Sequence, residues 1–190
     1  MTEAENPVIA EEPGLYRILP LRVLRRTPGA YFDAVDPSHF PHIDAIDRVI
    51  HEGGAISPGP VGEVARPWYM HPWQDDNLIV LHGVRYVDIY TKKHGKMESF
   101  EVRPDLVKHG DTVIHNGPAM LVWPRGVFHR IRSDEQTGSA SINFAVHYPG
   151  FDIDTNFSIY DLNTETGEFT IIREGKADQP QQGRASAQPL

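Results

Sequence analysis

A chain of 190 residues, 39% of them apolar and with a formal charge of −8, has enough material for one domain with a real core. The balance of 26 acidic against 18 basic side chains, with no dense basic cluster, opposes a nucleic-acid-binding surface. The absence of cysteine excludes disulfides, thiolate metal sites and a cysteine nucleophile, and no apolar run approaches the ~20 residues of a membrane span.

Residues 1–13 carry Glu3, Glu5, Glu11 and Glu12 without a basic side chain. They are expected to be flexible and do not read as a signal peptide, so a soluble, cytoplasmic protein is the expectation. Residues 15–26 hold the run Ile18-Leu19-Pro20-Leu21-Arg22-Val23-Leu24, whose Pro20 predicts an edge strand or a strand start. Residues 27–46 read as loop with one helical turn. A strand at 48–51 runs into Gly53-Gly54 and Ser57-Pro58-Gly59-Pro60, a loop signal.

Short strands then follow one another. They are expected at 65–71, 76–82, 84–91, 97–102, 111–115, 119–123, 127–132 and 139–148, with residues 103–110 as a connection. A last hairpin pairs 157–162 with 168–172 around Asn163 to Gly167. Strands every 8–12 residues without helical crossovers predict an all-β antiparallel sandwich or barrel. It forms a single domain over residues 14–173, and residues 174–190, rich in Gln, Gly, Ala, Ser and Pro, are expected to be disordered.

Two stretches carry chemistry. In Gly117-Pro-Ala-Met-Leu-Val-Trp-Pro-Arg-Gly-Val-Phe-His129, Pro124-Arg125-Gly126 stops one strand and turns the chain into the next. Strand alternation then puts His129 in one row with Val127 and Ile131. In Tyr69-Met-His-Pro-Trp-Gln-Asp-Asp-Asn-Leu-Ile-Val-Leu-His-Gly83, Tyr69 and His71 share a face before the turn, and Asp76, Leu78, Val80 and His82 share one after it. A hairpin with its polar residues inward brings Tyr69, His71 and Asp76 together, opposite His129. Two imidazoles and one carboxylate are the donor set of a mononuclear iron site, and also accept Mn, Zn or Ni.

These stretches resemble the paired motifs of the cupin superfamily. Gly117, Pro124, Gly126 and His129 follow the second motif, with one extra residue between Gly117 and Pro124 and with Ser133 where an Asn often stands. In the first motif, Gly83 is kept, Asp76 takes the Glu position, His71 the second His position and Tyr69 the first. The resemblance implies a cupin-type antiparallel β-barrel, or jelly roll, and a homodimer paired through N-terminal strands such as 15–26. It implies a site of His71, Asp76 and His129 around a divalent metal (Fe, Mn, Zn or Ni). Tyr69, His115 or His147 could replace the missing histidine, and Asn143 could line the cavity. A metal-dependent dioxygenase or isomerase acting on an oxygen-rich organic acid or sugar-like small molecule is the first reading.

The run Gln74-x-Asp76-Asn77-Leu78-x-Val80-x-x-Gly83 preceded by His71 also resembles the dTDP-4-dehydrorhamnose 3,5-epimerase-like branch of that superfamily. That branch implies a metal-free epimerase or isomerase of sugar nucleotides, with His71 as general base, Asp76 orienting it and a tyrosine as acid. Arg66, Arg85, Arg125 and Arg130 are available for a diphosphate. Loss of one ligand to Tyr69 also fits a non-catalytic ligand-binding barrel. His39, His42, His51, His94 and His109 read as surface residues, and Trp68, Trp73 and Trp123 as core.

Overall fold

Period-two alternation of apolar residues folds this chain into two antiparallel sheets that share one interior, beside a separate two-stranded sheet. The computed structural model describes residues 7–180. The smaller sheet has six strands in the order Ala10–Glu12, Tyr16–Pro20, Ala119–Trp123, Gln74–Gly83, Ser139–His147 and Ala45–His51. The larger runs Thr112–His115, Leu106–His109, Glu98–Arg103, Arg85–Tyr90, Phe128–Ser133, Trp68–Met70, Ile159–Leu162 and Phe169–Arg173, with Ile56–Ser57 pairing Phe128–Ser133. All these pairings are antiparallel, as the all-β barrel reading expects.

The main core lies between the sheets. Ile18, Leu78, Val80 and Leu121 from the smaller sheet meet Val87, Ile89, Phe100, Val102 and Val107 from the larger. Ala119–Trp123 is buried along its whole length because both its faces are covered. Leu121 and Trp123 point into the barrel, while Met120 and Val122 pack outward with Leu19, Val35 and Phe40. On the outside of the larger sheet, Trp68, Tyr90, Phe128, Tyr160 and Leu162 form a separate aromatic cluster.

Several expectations are corrected. Tyr16–Pro20 is an interior strand, because Ala10–Glu12 pairs along its outer side. Pro20 closes the strand, where a missing N–H removes no ladder bond. Residues 1–6 of the stretch expected to be flexible lie outside the described residues, as do 181–190 of the C-terminal tail. Within 27–46, the helical turn exists at Pro37–His39, but Ala30–Ala34 is a strand paired with Arg22–Thr27. Residues 103–110 contain the strand Leu106–His109 rather than a bare connection.

The largest correction concerns residues 65–83. Trp68–Met70 and Gln74–Gly83 are not a hairpin: the first lies in the larger sheet and the second in the smaller. Residues 71–73 therefore cross from sheet to sheet. Residues 124–127 cross beside them, between Ala119–Trp123 and Phe128–Ser133. The two crossings are tied by a hydrogen bond from the Gly126 N–H to the His71 carbonyl, 2.8 Å. Gly126 sits at φ +79°, a conformation open to glycine but strained for other residues. Gly83 is under a second constraint, since a Cβ there would stand 2.0 Å from the Gly138 carbonyl oxygen.

Candidate active site inside the barrel

The two crossings deliver His71 and His129 to the same end of the interior. His71 is 6% exposed and His129 4%. The His71 Nδ1–H donates to the Asn156 carbonyl at 2.7 Å. A carbonyl only accepts, so the proton of the neutral ring is fixed on Nδ1 and the Nε2 lone pair points inward. Nε2 stands 3.5 Å from Asp76 Oδ2. His129 repeats the arrangement, with its Nδ1–H directed at the Val127 carbonyl, 3.2 Å away. Burial first, and His71 next, pull the pKa of His129 down to about 4, against the opposing effect of Asp76, so the ring is neutral at neutral pH.

Asp76 is held asymmetrically. Its Oδ1 accepts from Gln74 Nε2 at 2.8 Å and from Asn143 Nδ2 at 2.7 Å. Its Oδ2 is buried without a hydrogen-bond partner among the described residues. Gln74 is itself fixed by Asn156 Nδ2 at 3.2 Å, and Asn143 Oδ1 accepts the Asn77 N–H at 2.7 Å. One residue, Asn156, thus sets both the tautomer of His71 and, through Gln74, the orientation of Asp76.

Tyr69 lines the same cavity, its ring 6.1 Å from that of His71 and 6.0 Å from that of His129. Burial raises its pKa, so the phenol keeps its proton as a donor. Trp123, opposite Asp76 in the sheet register, also lines the cavity and presents a buried indole N–H without a partner. The cavity measures about 360 Å³.

His71, Asp76 and His129 offer ligand atoms within 4.8 Å of one another. Two imidazole rings and Asp76 Oδ2 therefore converge on one point of the cavity, with His71 Nε2 3.5 Å from that oxygen. Such a cluster is satisfied by a proton taken up on an imidazole or by a cation, so the donor set fits a divalent metal as well as acid–base chemistry.

Other candidates go elsewhere. His115 lies on Thr112–His115 at the edge of the larger sheet. His147 stands opposite Gln74 but stacks on Phe151 at 3.6 Å. His82 leaves the inward row because a bulge between Ala140 and Ser141 inserts Leu81, leaving both Leu81 and His82 exposed. Asn143 does line the cavity. Of the arginines, Arg130 lies with Asp88, the Arg66 carbonyl and Trp68 outside the barrel, and Arg125 packs on Tyr148. Arg85 alone among these four points inside.

Sequence reasoning missed Asn156, about 80 residues away in the helical turn Ile153–Asn156, and Asp75, whose Oδ1 accepts the Arg125 N–H of the turn at 2.7 Å. It also placed His51 on the surface, where the structure puts it in the cavity lining. No spacing marks these residues, since each acts on a segment 50 or more residues away in the chain. His51 has a strand-like context, and that was the one available signal.

No family model matches the chain, and no curated protein matches it in sequence. Among solved structures, the chain is similar to QdtA, a sugar 3,4-ketoisomerase from Thermoanaerobacterium thermosaccharolyticum solved in complex with TDP, at a TM-score of 0.51 and 11% identity over 74% of this chain and 85% of that one. It is also similar to WlaRB, a TDP-quinovose 3,4-ketoisomerase from Campylobacter jejuni, at 0.50 and 14% over 72% and 87%. A mutant of QdtA in complex with TDP-4-keto-6-deoxyglucose matches at 0.50 and 11%, over 72% and 82%. The shared architecture is the cupin-type jelly roll. No helix among the described residues is long and apolar enough to cross a membrane.

Proposed function

We propose that the protein is an isomerase that moves a proton on a keto-sugar held in the barrel, with His71 as the base. The observation that carries this reading is the His71 ring itself. Its Nδ1 proton is committed to Asn156 and its Nε2 lone pair is free, 3.5 Å from an otherwise unpartnered Asp76 oxygen. Such a ring can take a proton from the carbon beside a ketone, while Asp76 supplies the counter-charge for the imidazolium. The electron pair of the broken C–H bond moves to the carbonyl oxygen, and the Tyr69 phenol donates to that oxygen. The old carbonyl oxygen keeps the phenol's proton, the adjacent hydroxyl gives its own proton back to the Tyr69 phenolate and becomes the new ketone, and Nε2 returns its proton to the former carbonyl carbon, which completes a 3,4-keto shift. The fold shared with two sugar 3,4-ketoisomerases supports a nucleotide-linked 4-keto sugar as the substrate class.

The test is deuterium wash-in. The protein is incubated with TDP-4-keto-6-deoxyglucose in D₂O and followed by proton NMR. Loss of signal at the ring carbon beside the ketone is expected, and it should disappear in His71→Asn. Full retention of that signal with the wild-type protein sinks the reading.

A second reading rests on the convergence of three ligand atoms within 4.8 Å and on the unpartnered Asp76 Oδ2. In it, His71, Asp76 and His129 hold a divalent Fe, Mn, Zn or Ni ion, which would supply Lewis acidity toward a substrate oxygen. Elemental analysis of untagged protein decides it. One metal per chain, lost in His129→Ala, supports the metal, and substoichiometric metal with active protein removes it.

A further inference from the structure

Arg85 has the largest of the fully buried side chains, at 1% exposure, and it lines the same cavity as His71 and Asp76. It starts on the larger sheet, yet its Nη2 donates to the Val49 carbonyl of the smaller sheet at 3.2 Å. The guanidinium therefore lies across the interior between the sheets. Its Nε–H has no partner, and among the described residues no carboxylate forms an ion pair with it. The neighbouring His51 is bound through Nδ1 to Ser133 Oγ, 3.1 Å away, and supplies no negative charge. Asp47, which also lines the cavity, is engaged by Asn143 Nδ2 at 3.1 Å. A buried guanidinium with five donors and one protein acceptor among the described residues is a poor structural strut and a good anion receptor.

The register fixes its distance from the chemistry. Along Arg85–Tyr90, Ile89 faces His129 and Arg85 faces Ser133. Four strand residues separate the two backbone positions by ~13 Å along one wall of the shared cavity. Between them the interior wall is Leu78 and Ile131, with the Trp123 indole N–H as a further unused donor.

We propose that Arg85 is a binding residue for a compact oxyanion, a carboxylate or phosphate of the ligand, so that the barrel takes a hydroxylated molecule carrying its own negative charge. The anion seats on the guanidinium and the uncharged part of the ligand extends toward His71. The anion contact stands whether or not His71 is the base of an isomerase.

Isothermal titration with D-glucuronate, D-glucose 6-phosphate and neutral D-glucose tests it. At least one anionic sugar is expected to bind about 10-fold or more tightly than glucose, and Arg85→Met is expected to erase that preference. The anion that shows the preference identifies carboxylate or phosphate as the source. Without ligand, Arg85→Met should melt no lower than wild type, because it removes an unpaired buried charge. Should that variant fold poorly, the ¹⁵N-detected Arg85 Nε–H resonance of the wild-type protein, assigned by its loss in Arg85→Lys, gives the same answer through its shift on adding the anionic sugar. Equal affinity for glucose and both anions, a preference retained in Arg85→Met, or an unmoved Arg85 resonance overturns the proposal. An anion preference without deuterium wash-in, or wash-in without an anion preference, separates a failure of the isomerase reading from a failure of anion binding.

Discussion

Two regions of one barrel interior obey opposite rules. Where Tyr16–Pro20 and Glu98–Arg103 contribute, the inward row is Ile18, Phe100, Val102, Val107 and Leu121, a dry cluster of apolar side chains. Where the two crossings and Ser139–His147 contribute, the inward row is His71, Gln74, Asp76, His129 and Asn143, joined by Arg85. The same strand alternation builds both. Among the described residues, four buried side-chain atoms have no hydrogen-bond partner, and Asp76 Oδ2, Arg85 Nε and Trp123 Nε1 all belong to the polar region. Burying a polar atom unpaired costs about 1–3 kcal/mol, more for a charge. The polar region is thus held against its own stability by the dry one, the pattern of a site built to receive a ligand.

The sharpest separation comes from His71. Asn in its place should lower turnover roughly 10²- to 10⁴-fold, the range of general acid–base catalysis, while urea unfolding shows little change. A large stability loss with turnover intact would reverse the assignment of roles. Phe100→Ala should do the opposite. Phe100 packs on Tyr16 at 4.8 Å and on His109 at 4.8 Å, so its loss should cost about 3–5 kcal/mol in denaturant melts without altering substrate affinity below the transition.

Asn143→Ala blurs the boundary. It removes one of two donors to Asp76 Oδ1 and the acceptor for the Asn77 N–H, so about 1–3 kcal/mol of stability and part of the turnover should go together. Turnover unaffected by this change would show that Asp76 needs no orientation.

The smallest effect is on pH. His129 titrates near 4, below its ordinary value, so the unfolded chain takes up the proton more readily than the folded one. Its contribution is fully present above the unfolded value of about 6.5 and is lost as pH falls toward 4, at roughly 1 kcal/mol per pH unit. His51, also held near 4 by burial and by Arg85, adds a smaller share because it is only half-buried. Melts between pH 7 and 4.5 should show this slope, and His129→Gln should flatten it.

Much of the site was legible because turns and strands write local signals. Pro124-Arg125-Gly126 ahead of His129 marks a turn that presents a side chain, whereas His71 and Asp76 were set beside it by the resemblance to the cupin motifs, since the hairpin expected over residues 65–83 does not form. Asn156 was not legible, because its backbone carbonyl does the work and any residue has one. Arg85 was readable as an inward position by its alternation with Val87 and Ile89, but nothing local told that no carboxylate waits for it.

By itself the sequence determined an all-β chain and most of its strands, because alternation and turn chemistry are local, while His71, Asp76 and His129 were grouped as candidates through the resemblance to the cupin motifs. Only the tertiary structure decided that residues 71–73 and 124–127 cross between sheets side by side, through the Gly126 to His71 hydrogen bond. It also decided which histidine nitrogen is free, and that a lone guanidinium shares the cavity. Those features depend on contacts between segments tens of residues apart, which no spacing along the chain encodes.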